Sequence, residues 1–143
     1  MRRLLIVANE TVAGRELLDA IERRARDGAL DITVLCPISE PRGSYVVDPD
    51  AVRSAASERL ERTLRELHDN GIEARGSVVD AGPLDAVRDY LAHETADEVI
   101  VSTHPRPTSR WLRRDVIEQL RRLFRDVPVE HVVVDQSRSE VVG

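Results

Sequence analysis

The sequence predicts a single-domain α/β protein, a three-layer α/β/α sandwich with helices on both faces of a parallel sheet. Three observations carry that expectation. Five short runs rich in Val, Ile and Leu, at residues 4–8, 32–36, 74–79, 99–102 and 131–134, alternate with longer stretches of helical periodicity. The runs Leu4-Leu5-Ile6-Val7 and Val99-Ile100-Val101 are apolar at successive positions, as strands covered on both faces are. Aromatic residues make up only 3% of the 143 residues, so the core is built from aliphatic side chains.

The elements follow in order. A first helix is expected over residues 12–27, with Leu17, Leu18, Ile21 and Ala25 on one stripe, Thr11 as N-cap and Gly28 closing it. A second follows Asp48-Pro49-Asp50, turns Val52, Ala56, Leu60, Leu64 and Leu67 inward, and ends at Asn70-Gly71. Pro83 suits the first position of a third helix, which presents Leu84, Val87 and Leu91. A fourth starts near Ser109, with Leu112, Val116, Leu120 and Leu123 on one side and Arg113, Arg114, Arg121, Arg122 and Arg125 mostly on the other. Val127-Pro128 stops it. Residues 37–50 form a linker longer than most such connections, and long loops in compact domains are usually functional or mobile. The domain is expected to span residues 1–136, with 137–143 as a C-terminal tail.

Composition excludes several chemistries. All 21 basic residues are Arg, so no amine is present for a Schiff base, a phosphate-loop Lys or the Lys of a phospho-acceptor receiver. The single Cys36 has no intramolecular partner, and no Cys/His spacing suggests zinc. With no apolar run long enough for a secretory core or a membrane span, a cytoplasmic location is expected. The net charge of −5 argues against general nucleic-acid binding, although residues 102–126 carry seven Arg against three acids. A solvated face best accounts for that row.

The segment Gly82-Pro83-Leu84-Asp85-Ala86-Val87, then Ala96-Asp97-Glu98-Val99-Ile100-Val101-Ser102-Thr103-His104, then Val127-Pro128-Val129-Glu130-His131-Val132-Val133-Val134 resembles universal stress proteins in order and spacing. The resemblance implies a five-stranded parallel sheet of order 3-2-1-4-5, of the adenine nucleotide alpha hydrolase-like, Rossmann-like kind. Any ligand would lie at the carboxyl ends of strands one and four. It also implies a homodimer through the last strand, with Val132, Val133 and Val134 as an exposed apolar edge.

Nucleotide-binding members of that family carry G-x2-G-x9-G-[ST] after the fourth strand. Laid here with its spacing intact, the pattern falls on Ser102, Pro105, Asp115 and Val116, and none keeps the required residue. Pro105 has no N–H to offer, Asp115 brings a carboxylate towards the phosphates, and Val116 cannot donate. The resulting expectation is a non-enzymatic stress or regulatory module with no cofactor and no tight ATP binding, acting through dimerisation and protein or small-ligand contacts. The alternatives are a nucleotide- or anion-binding regulator using Arg106, Arg110 and Asn9, and a small hydrolase of the same fold.

The candidate ligand-binding residues are therefore Ala8, Asn9, Cys36, Ser102, Thr103, His104, Arg106, Ser109 and Arg110. Arg forks, hydroxyls and a helix N-terminus favour an anion, and His104 stands where some family members have a loop His. No acid at a suggestive offset orients that imidazole, so no catalytic residue is assigned. Cys36 is expected to be a buried, inert thiol. Trp111 is expected to anchor the loop on the core or on a second subunit.

Overall fold

The computed structural model describes residues 1–8, 11, 13–38, 49–105 and 111–135, the side chains of residues 49 and 111–115 excepted. Strands β1 (Arg2–Ala8), β2 (Leu30–Pro37), β3 (Ala74–Val79), β4 (Glu98–Thr103) and β5 (Val129–Val133) alternate with helices α1 (Arg15–Ala25), α2 (Pro49–Asp69), α3 (Pro83–His93) and α4 (Trp111–Leu123). The strands form one sheet in the order β3-β2-β1-β4-β5, with every neighbouring pair parallel. Both the expected class and the expected order are found.

Strand pleating divides the apolar residues between two cores. Leu4, Ile6 and Ala8 of β1 join Ile32, Val34, Cys36 and Ile100 beneath Leu17, Ala20 and Ile21 of α1 and Leu60 and Leu67 of α2. On the opposite face Leu5 and Val7 join Leu35, Val99 and Val101 beneath Ala86 and Val87 of α3 and Val116, Ile117 and Leu120 of α4. This explains why β1 and β4 read as unbroken apolar runs: each is sandwiched on both sides. Among the described residues no helix is long and apolar enough to cross a membrane.

Three expectations are corrected. The first helix begins at Arg15 and is capped by Gly14 in an extended conformation, so Thr11 is not the N-cap; it is 1% exposed and bonded elsewhere. The fourth helix is described from Trp111, so the expected start near Ser109 lies outside the described residues. Leu123 is 53% exposed rather than inward. Phe124, four residues after Leu120 and therefore on the same stripe, packs against the core instead. Finally, the last strand does not present three exposed valines, because Val132 and Val134 alternate onto the face covered by α1 and are buried, leaving Val133 at 39%.

Close approach governs β3. A Cβ added at Gly76 would lie 2.6 Å from the Val34 carbonyl oxygen and 2.7 Å from Leu60 Cδ1. At the amino end of the sheet, Arg24 of α1 binds Glu98 of β4 and Glu130 of β5 together, and Arg2 and Arg23 add a second partner to each carboxylate.

Candidate functional site

The sheet order reverses between β1 and β4, and in open α/β sheets ligands enter the crevice beyond the carboxyl ends of strands at such a point. Here that crevice begins at Ala8 and Ser102, which are register partners. Cys36 is the next-to-last residue of the neighbouring strand β2, one past Leu35, which pairs with Val7; Thr103 ends β4, and His104 and Pro105 follow it. The structure thus brings Ala8, Cys36, Ser102 and Thr103 to one end of the central strands. Asn9, Arg106, Ser109 and Arg110 lie outside the described residues.

Most of the polar groups at this end are satisfied internally. Thr11 Oγ1 and Ser102 Oγ are 2.7 Å apart, and both residues are almost completely buried, at 1% and 0% exposure. Ser102 Oγ also reaches the Val7 carbonyl at 3.5 Å. Buried hydroxyls need such partners, because an unpaired one costs about 1–3 kcal/mol. Thr103 Oγ1 lies 2.7 Å from His131 Nε2 on the α4 side, and Thr63 Oγ1 accepts from the Ala13 amide at 3.1 Å on the other. Strand ends that would point hydroxyls at a ligand are here bonded to one another.

Thr11, Thr63 and His131 are not among the site residues the sequence suggests. Thr63 left a signal: it stands among Ala56, Leu60 and Leu67 on the buried stripe of α2, a polar residue at an apolar position. Thr11 left none, since a Thr ahead of a helix reads as a cap.

The third position of the spaced phosphate pattern falls inside α4. Residue 115 is the fifth of α4, past the first turn whose unpaired N–H groups attract anions. Val116 is 3% exposed and packs in the core.

Cys36 is 2% exposed, and burial pushes its thiol up to about 11, with the Arg59 charge opposing weakly. An acid whose folded pKa is raised stabilises the fold below its unfolded value of 9.0 and loses that contribution as pH rises from there towards 11. Urea unfolding is therefore expected to show stability falling between pH 9 and 11 by up to about 1.4 kcal/mol per unit, a slope that Cys36→Ala removes. Among the described residues no group of three or more His, Cys, Asp or Glu is placed to hold a metal ion.

Solved structures share this architecture. A universal stress protein from Archaeoglobus fulgidus superposes with a TM-score of 0.62 at 16% identity, covering 92% of this chain and 95% of its own. The fold is that of the universal stress proteins. A structure of the universal stress protein from Archaeoglobus fulgidus in complex with dAMP matches with the same TM-score at 15% identity, over 92% of this chain and 99% of that one. A universal stress protein family member from Burkholderia pseudomallei matches at 0.54 and 19% identity, over 90% and 93% of the two chains. No protein-family model and no curated protein matches the sequence. At these identities the universal stress protein likeness lies in strand order and element sequence, the features that place the β1–β4 crevice.

Proposed function

We propose that the chain is a non-enzymatic regulatory module of the universal stress protein kind, cytoplasmic and dimeric through β5, whose crevice does not hold ATP tightly. One observation carries the reading. Ser102 stands at the first glycine position of the phosphate pattern, and its buried hydroxyl is bonded to Thr11 across the crevice floor. A glycine there lets backbone approach a phosphate; a side chain already bonded fills the space and offers nothing to the ligand. Pro105 at the second position removes another donor. Dimerisation accords with where apolar surface remains: of the three large hydrophobic residues exposed among those described, Leu123 and Val133 lie on α4 and β5.

The dAMP-bearing neighbour favours a second reading, a nucleotide-binding regulator, in which Arg106, Arg110 and Asn9 replace the glycine cradle. Titration calorimetry of the purified chain with ATP and with dAMP separates the two. No heat at millimolar nucleotide is expected. Micromolar binding of either would overturn the first reading in favour of the second.

A further inference from the structure

Helices α1 and α2 cover one face of the sheet, and two adjoining clefts of about 310 Å³ and 340 Å³ lie between them. Arg15, Leu18, Asp19 and Glu22 of α1 face Glu66 and Asn70 across the first. The second continues from it along the helices and is lined by Ile21, Ala25, Leu30, Ile32 and Ile72. A Cβ added at Gly28 or Gly71, which also line it, would meet nothing within 4 Å, so the cleft is unobstructed there. None of these residues is among those brought to the β1–β4 crevice.

The two halves differ in chemistry. The second is aliphatic, with Ile21 and Ile32 buried and Leu30 and Ile72 partly so. The first sets three carboxylates, Asp19, Glu22 and Glu66, against the single guanidinium of Arg15. None of the three enters an ion pair among the described residues, whereas Glu98 and Glu130 each hold two Arg. Burial raises the Glu66 carboxyl above its ordinary value, with Arg62 opposing and Asp69 adding, and a cation beside it relieves that cost. Both helices run against the strands, so their C-terminal ends, where the helix dipole is negative, flank the second cleft.

We infer that this groove binds an aliphatic amine, its ammonium held by Asp19, Glu22 and Glu66 and its hydrocarbon chain laid over Ile21, Ala25 and Ile72. Charge complementarity sets the sign of the ligand, and the aliphatic cleft sets its other end. From Asp19 or Glu22 to Ala25 the helix rises about 5–9 Å, the reach of a medium-length alkyl chain. The inference holds whether or not the β1–β4 crevice takes a nucleotide.

The test titrates the full, isotope-labelled chain with octylamine, butylamine and octanoate at low salt, followed by amide NMR. Octylamine is expected to shift resonances of residues 18–25 and 66–73 saturably, and at least about tenfold more tightly than butylamine. Octanoate should leave them unmoved. Glu22→Gln combined with Glu66→Gln, which keeps the shape of the cleft, should weaken octylamine about tenfold, and added salt should weaken it too. Arg15→Gln, which removes the cation lining the first cleft, should tighten octylamine about twofold, a readout that loss of fold cannot mimic. Equal binding of octylamine and octanoate, or of the two amines, overturns the inference. So do variants that bind as the parent does, shifts confined to residues 8, 36, 102 and 103, or no saturable shift at all.

Discussion

Replacing Arg24 with methionine is expected to lower the unfolding free energy by about 3 kcal/mol, read from the shift of a urea midpoint. Arg24 Nε lies 2.7 Å from Glu98 Oε2, its Nη2 2.5 Å from Glu130 Oε1, and its Nη1 donates to the Ala20 carbonyl at 2.8 Å. The Arg24 and Glu98 side chains are only 15% and 14% exposed. Removing one member of a buried ion set leaves charge uncompensated in a poorly solvated place, which costs about 3–5 kcal/mol where burial is complete. Glu130, at 35% exposure, keeps Arg23, and Glu98 keeps Arg2, so the lower end of that range applies. Methionine retains the apolar stem, so the loss reports charge rather than packing. Arg23→Met, at a side chain 60% exposed, should cost less than about 1 kcal/mol.

The same cluster sets a pH dependence. Burial alone would raise the Glu130 carboxyl, but hydrogen bonds and charge from Arg24, then Arg23, overcome it and hold the group below its ordinary 4.5. A depressed folded value means the stabilisation is present above about pH 4.5 and is lost as pH falls through the lowered value. The acid limb of stability against pH should therefore be flatter in Arg24→Met than in the parent chain.

Gly76→Val is expected to abolish folding at 37 °C, and Gly76→Ala to cost the upper part of about 1–3 kcal/mol, by circular dichroism melting. The new Cβ would meet a backbone oxygen of the paired strand at 2.6 Å, and that atom cannot move without breaking the β2–β3 ladder. Leu60 Cδ1, at 2.7 Å, could yield only by shifting α2 or leaving its rotamer. Gly28 and Gly71 differ: their positive φ values of 147° and 77° reflect turn geometry, with open space around each.

Strand identity was legible because period and burial agree: β1 and β4 sit between two helical layers, and their sequences say so at every position. Strand order came from family resemblance, since apolar periodicity says which residues are covered but not which strands are neighbours. The crevice was half legible. The carboxyl ends of β1 and β4 follow from the order, which brought Ala8, Cys36, Ser102 and Thr103 together. What fills them does not follow, because the Thr11–Ser102 and Thr103–His131 contacts join residues 91 and 28 positions apart. No local pattern encodes such pairs. The exposed-valine edge failed for a simpler reason: three consecutive valines look alike in sequence, while the pleat sends their side chains to alternating faces.

The earliest strand to be made is the middle of the finished sheet. As the chain leaves a ribosome, β2 and β3 can zip onto one flank of β1 while the opposite flank waits, bare and aliphatic from Leu4 to Ala8, for β4 to emerge. Nascent chains stalled before Glu98 should hence be sticky and chaperone-dependent, and release of that strand is the moment at which the polypeptide becomes safe in a crowded cell.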